Sequence, residues 1–163
     1  MPNGGITLKI EYNHAFGLPR NLVWKWMKDE TVLKNSIPNC KSFVETSSGV
    51  YRGEIDIRIG PINDVFAIDI RRIEEKNPSF YRLKINGTSK LGNIQAQSDL
   101  FLRDWQGACK LTIKADVVIT GTMEVTPDRL LNGAAIKVIE NLFQNLEKEI
   151  KKAVYQSRKK FRT

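Results

Sequence analysis

Histidine occurs once and cysteine twice in the 163 residues, and each scarcity removes a class of chemistry. Cys40 and Cys109 are too far apart for a close-spaced metal or redox motif, and two cysteines make no disulfide framework, so both are expected to be small buried hydrophobes. With His14 alone, no two-histidine metal site can form, and a Ser-His-Asp arrangement would have to be built on the end of the first strand. His14 is expected to be an ordinary strand-end residue, and neither a metal nor a cofactor is expected. The segment Gly87-Thr88-Ser89-Lys90-Leu91-Gly92 lacks phosphate-loop spacing and reads as a hairpin loop. No run of about 18 apolar residues occurs, and no basic segment followed by an apolar stretch opens the chain. A cytoplasmic protein is expected. Repeats, low-complexity tracts and linkers are missing too, which leaves one domain over 1–163.

What is present is strand pattern followed by one long helix. Ile6, Leu8, Ile10 and Tyr12 alternate with Thr7, Lys9, Glu11 and Asn13, the period of a half-buried strand. Leu18-Pro19-Arg20-Asn21 opens a helix, with Pro19 in its first turn and Leu22, Val23, Trp26 and Met27 facing inward. A second short helix runs from about Asp29 to Asn35 and is stopped by Pro38. Six strand-like runs follow, at 40–47, 50–59, 64–75, 80–88, 94–104 and 108–120, divided by turn signals such as Ser48-Gly49, Gly60-Pro61, Asn77-Pro78 and Gln106-Gly107. Their connections are too short for parallel crossovers, which predicts an antiparallel meander. From Asp128 to about Val154 apolar residues recur at spacings of three and four, predicting an amphipathic helix roughly 40 Å long that must lie along the sheet.

Alternation assigns the inner face and with it a candidate ligand site. Tyr51, Ile55, Phe66, Ile68, Tyr81, Leu83, Ala96, Ser98, Leu100, Ile113, Ala115 and Val117 share the inward phase, and Ala135, Ile139 and Phe143 face them from the helix. Gly53, Ala96, Ser98 and Ala115 are small where the face should be filled, as a sheet leaving space for an apolar molecule requires. The inward phase reads as nearly free of ionisable groups. Ile62, Leu91, Met123 and Val125 lie in turns expected at one end of the meander, where they would form an apolar mouth suited to a membrane or a partner surface.

Charge is uneven. The net charge is +8, and cations crowd the last residues. Arg158, Lys159, Lys160 and Arg162, in a short basic tail over about 155–163, are the candidates for contact with an anionic surface, lipid or protein. Nucleic acid is a poorer partner, because no strand-borne aromatic platform is evident beside these cations.

This order of elements, one strand, two short helices, six antiparallel strands and a terminal helix, resembles the helix-grip fold of the START and birch-pollen-allergen-like (SRPBCC) superfamily. The fold expected is therefore α+β, a seven-stranded curved antiparallel sheet around a long C-terminal helix. Leu18-Pro19-Arg20-Asn21-Leu22-Val23-Trp24 looks like the opening motif of that superfamily. Ile37-Pro38-Asn39-Cys40 and Ile59-Gly60-Pro61-Ile62 look like the carbon monoxide dehydrogenase G-subunit family, which usually has Gly at the place of Asn39. The resemblance covers about residues 6–150. It implies an accessory protein of carbon monoxide dehydrogenase-type molybdenum hydroxylases, linked to quinones or lipids and to recruitment at the inner face of the membrane. Some members carry a long anchoring extension; only a short basic tail is seen here, which suits reversible surface contact. A noncatalytic carrier is the expected function. The rivals are a cyclase- or hydratase-like enzyme of the same superfamily and a docking adaptor with a vestigial cavity.

Overall fold

The computed structural model describes residues 5–162, with side chains through Lys160. The chain runs β1 (Ile6–Phe16), α1 (Arg20–Trp26), α2 (Glu30–Ser36), β2 (Cys40–Ser47), β3 (Val50–Ile59), β4 (Ile62–Lys76), β5 (Phe80–Ser89), β6 (Gly92–Trp105), β7 (Ala108–Gly121), a 3-10 turn (Thr122–Val125) and α3 (Asp128–Arg162). One sheet of seven strands has the order β1-β7-β6-β5-β4-β3-β2, with every neighbouring pair antiparallel. The expected meander is β2 to β7. β1 pairs with β7 rather than with β2, so α1 and α2 carry the chain from one sheet edge to the other.

Local chemistry explains the short elements. Pro19 stands at the N-cap of α1, one position before the first turn, and its carbonyl accepts from the amides of Leu22 and Val23. Val23, Trp24 and Met27 are buried, while Leu22 and Trp26 only flank the core, so the tryptophan that turns inward is Trp24 and not Trp26. Asp29 caps α2 by accepting from the Val32 amide at 3.1 Å. Asn39 has φ +56°, a left-handed conformation that costs most residues roughly 1–2 kcal/mol and that glycine and asparagine tolerate best.

α3 is longer than its apolar stripe suggests, 35 residues or ~52 Å, and it continues through the segment read as a tail. Residues 155–162 contain neither Gly nor Pro, and their cations lie at the negative end of the helix dipole, which favours continuation. Thr163 lies outside the described residues.

The apolar interior divides in two. One cluster gathers Phe16, Val23, Trp24, Tyr81, Leu100, Leu111, Phe143 and Ile150 at the α1–α2 end. The other gathers Leu8, Ile10, Ile62, Phe66, Ala115, Ile119, Met123 and Leu131 toward the opposite turns. Ile139 touches both.

Candidate functional site

Strand register sets the expected site residues side by side. Tyr81, Leu100 and Ile113 form one cross-strand row, Leu83, Ser98 and Ala115 the next, and Ile85, Ala96 and Val117 the one after. Tyr51 and Ile70 extend this third row across β4 to β3. Beyond it Ile68 lies opposite Gly87, and Ile55 opposite Phe66. Because side chains alternate along each strand, all of these share the face turned toward α3.

The helix does not cover this face evenly. Its backbone comes closest to β1 and to α2 rather than to the strands at the centre of the sheet. Leu131, Phe143, Leu146, Ile150 and Val154 are buried, yet no side chain between Asn132 and Leu142 is. Ala135 and Ile139 fall in that stretch. Beneath it Leu83, Ile85, Ile94, Ala96 and Val117 are also only half-buried, although they sit on central strands and point inward. Apolar side chains on both sides thus remain within reach of a water-sized sphere. Ser98, Leu100, Ile113 and Ala115 are buried, as are Tyr51, Phe66, Ile68, Tyr81 and Phe143. Gly53 opens no space. A side chain there would collide with the Ser42 carbonyl, and Phe43, its cross-strand partner, stacks on Tyr51 at 5.2 Å.

The inner face is not free of charge, and this corrects the sequence reading. Arg72 continues the phase of Phe66, Ile68 and Ile70 and pairs with Leu83. A bulge at Ile73 then shifts β4 by one residue, so that Glu75 faces Tyr81. Arg72 Nη1 donates to Glu75 Oε2 at 3.1 Å, and Nη2 donates to the Tyr51 hydroxyl at 3.2 Å. That hydroxyl donates onward to the Lys28 carbonyl at 2.8 Å. Lys28 Nζ lies 3.4 Å from Glu75 Oε1 and 4.3 Å from the centre of the Trp24 ring, whose edge meets Tyr81 at 5.6 Å. The Trp24 indole nitrogen is buried without a hydrogen-bond partner. Burial would raise the Glu75 carboxyl, but Arg72 and Lys28 outweigh it and hold the group below the ordinary carboxylate range. Burial also pushes the Tyr81 phenol above its ordinary value. Extending the alternation by two residues would have found Arg72; no sequence signal announces the bulge.

His14 is likewise more than a strand-end residue. Its Nε2 lies 2.9 Å from Glu147 Oε1, and its ring sits edge-on to Phe16 at 4.7 Å, tying β1 to α3. Cys109 is fully buried, its thiol pushed up to about 11 by burial, while Cys40 is half-buried and donates to the Ser42 carbonyl. Among the described residues no group of three His, Cys, Asp or Glu is placed to hold a metal.

A model of the carbon monoxide dehydrogenase G-subunit (CoxG) family matches residues 16–151. The chain belongs to that family. Its fold is the helix grip, shared with solved structures of low identity. A conserved protein from Geobacillus kaustophilus matches with TM-score 0.84 and 24% identity over 90% of this chain and 97% of that one. The Zhui aromatase/cyclase from Streptomyces sp. R1128 matches with TM-score 0.67 and 13% identity over 91% and 96%. Ara h 8.0201 matches with TM-score 0.64 and 14% identity over 88% and 97%. The search of curated proteins found no match.

In this CoxG-family chain two of the three turns expected to form a mouth, 87–92 and 121–127, meet directly. Thr122 donates from both its amide and its hydroxyl to the Leu91 carbonyl, each at 2.9 Å. Gly92 and Gly121 are register partners there, and a side chain on either would strike the other's backbone. Gly60 lies against Leu130 at the start of α3. Ile62 and Met123 are not exposed tips, however; both are buried in the second cluster, since a strand end and a 3-10 turn fold them under. Leu91 is half-buried, and Val125 is 86% exposed.

Two grooves lie outside the inner face. One of about 360 Å³ crosses the outer face of β1, β7 and β6, and one of about 540 Å³ separates α2 from the far part of α3. The outer face also carries an aromatic pair that the sequence reading missed, Phe80 and Phe101 at 5.2 Å, with Arg82 and Lys114 about 6 Å from their rings. Asp99 binds Arg82 through two contacts at 2.7 and 3.0 Å, and Asp116 meets Lys9 at 3.4 Å, so this face is mixed in sign. Arg158, Lys159 and Lys160 project from the exposed end of α3; the Arg162 side chain lies outside the described residues. No helix among the described residues is long and apolar enough to cross a membrane.

Proposed function

We propose that this CoxG-family chain is a noncatalytic binding protein for an apolar molecule, a quinone or a lipid, held between the inner rows of the sheet and α3. In this reading it serves a carbon monoxide dehydrogenase-type enzyme as an accessory, bringing the molybdenum hydroxylase to an anionic membrane surface through Arg158, Lys159, Lys160 and Arg162. The observation that supports it is the half-burial of Leu83, Ile85, Ala96 and Val117 beneath a stretch of α3 that itself buries nothing. A protein folded only for stability would close that space. Mass spectrometry of an organic extract from gently purified protein tests the reading. A lipophilic species near one per chain, absent when Ala96 is Phe, supports it, and an empty extract together with no uptake of added apolar probes defeats it.

The second reading is a cyclase- or hydratase-like enzyme, and the Arg72, Glu75, Lys28 and Tyr81 cluster is what favours it. Such an enzyme would return an added substrate chemically altered. A carrier returns it unchanged.

A further inference from the structure

Two sites bring ionisable groups onto the inner face: His14 on β1, taken up by Glu147 of α3, and the Arg72–Glu75 pair on β4, which carries more donors than acceptors. Arg72 uses two of its N–H groups, on Glu75 and Tyr51, out of the five that a guanidinium has. Both roles of the Tyr51 hydroxyl are taken. The Glu75 carboxylate is taken by Arg72 and Lys28. The other carboxylates near Tyr51 are occupied as well, Asp29 by the Val32 amide and Glu45 by the Gly49 amide. That leaves the Trp24 indole N–H, fully enclosed, with nothing to donate to. Buried donors are nearly always satisfied in folded proteins, and this orphan belongs to a ring that packs on Tyr81 and Lys28, the latter sharing Glu75 with Arg72, so the cluster as a whole lacks an acceptor.

We propose that this end of the interior is a head-group site for an amphipathic ligand whose polar end offers acceptor oxygens and no cation, a carboxylate or a carbonyl, received by Arg72, the Trp24 N–H and the Tyr81 hydroxyl. The proposal rests on the reading that an apolar molecule lies under α3, and it fixes which way round that molecule lies. The head meets the row that Arg72 shares with Leu83, Ser98 and Ala115, where small side chains leave Arg72 its reach. The hydrocarbon body follows over Ile85, Ala96 and Val117, toward the turns. A cationic head is disfavoured for a physical reason: it would face the like charges of Arg72 and Lys28, and the carboxylate between them, Glu75, is already bonded to both.

Dodecanoate, methyl dodecanoate and dodecylammonium share one chain length and differ at the head. Each is titrated calorimetrically into the full chain at about 0.3 M salt, where attraction to surface charge is screened within less than about 8 Å. Acid and ester are expected to bind at least about tenfold more tightly than the amine, the effect of one well-placed hydrogen bond. Their ratio to each other reports whether charge or the acceptor oxygen alone is read. The double variant Arg72→Gln, Glu75→Gln keeps a neutral pair in place and should bring the three probes within about threefold of one another. Trp24→Phe removes the N–H while keeping an aromatic ring, and serves as the independent test should the double variant not fold. It should reduce the preference without abolishing uptake. Equal affinity for the three probes in the parent, or a preference untouched in the folded variants, overturns the head-group site and leaves the cavity standing. Failure of all three probes to bind overturns both.

Discussion

Substituting Ala96 and Ala115 separately by Phe separates a cavity from a packed core. Both are small residues on the inner face in adjacent cross-strand rows, yet Ala96 is half-buried and Ala115 is 7% exposed within the second cluster. Ile85 and Val117 flank Ala96, with Cβ atoms about 5 Å away as cross-strand neighbours. A phenyl ring at 96 therefore occupies the space that three or four methylenes of a bound chain would fill. At about 0.8 kcal/mol per buried methylene this removes about 2.4–3.2 kcal/mol of binding, roughly a 60- to 200-fold rise in Kd. On the proposed reading the ring enters the space a ligand would fill, and stability should then change by less than about 1 kcal/mol. At 115 the ring enters filled space, and overpacking should cost about 1–3 kcal/mol, lowering Tm by about 2–4 °C for each kcal/mol in a chain of this size. Thermal unfolding and titration with dodecanoate read both quantities. The reasoning fails if Ala96→Phe binds like the parent while folded, or if it is destabilised as much as Ala115→Phe.

Three further outcomes follow from the geometry. Glu147 accepts from His14 at 2.9 Å, Lys151 at 2.8 Å and the Gly17 amide at 3.3 Å, and although burial opposes it, these partners hold its carboxyl below the ordinary range. Its stabilisation is full above the unfolded value near 4.3 and is lost as pH falls through the lowered folded value; Glu147→Gln should cost on the order of 1–2 kcal/mol at neutral pH and flatten urea-unfolding stability across that acid window, whereas parallel curves for variant and parent would refute the tie. Co-sedimentation with anionic vesicles should weaken as salt rises and fall when Arg158, Lys159, Lys160 and Arg162 become Gln, each cation near such a surface contributing about 1 kcal/mol; unchanged sedimentation would leave the contact to the exposed turns. Hydrogen exchange with an apolar ligand bound should slow at 60–62, 87–92 and 121–127, and protection confined to other segments would remove the mouth from that end.

The fold was legible because its signals are periodic and its breaks are chemical. Expected strands at 40–47 and 50–59 coincide with β2 and β3, the other four runs differ by two residues or fewer at either end, and β1 continues past its alternating stretch to Phe16. Turns such as Gly60-Pro61 and Gln106-Gly107 force the chain to reverse whatever surrounds them. The pairing of β1 with β7 was not legible, since local pattern carries no information about which distant edge a strand joins. Of the site, alternation placed the apolar rows but lost the face where period two breaks: the bulge at Ile73 turns Glu75 inward. Burial of Ile62 and Met123 was missed for a related reason, because a turn residue can fold back under the strands it connects. Trp24 and Trp26 differ in direction by about 200° around α1, and the composition of so short a helix does not choose between them.

The distribution of anchors along α3 bears on how a ligand would enter. From Phe143 onward, Phe143, Leu146, Ile150 and Val154 are buried in the first cluster, and Glu147 adds the tie to β1 through His14. Asn145 adds another, donating to the Ser36 carbonyl of α2 at 3.1 Å. Before Phe143 only Leu131 is buried. Apolar burial is the main force holding a helix to a sheet, and the stretch before Phe143 has fewer fully buried side chains to hold it than the stretch from Phe143 on. That less firmly anchored stretch is the one adjoining Gly60, Leu91 and Val125. A ligand admitted there meets isoleucines first and reaches Arg72 and Trp24 only at the closed end beside α1. Ion pairs taken out of water contribute little net stability compared with well-packed hydrophobes. Folding alone thus gives little reason to set Arg72 and Glu75 on an apolar face, whereas a molecule entering tail-last from the opposite end gives their position a use.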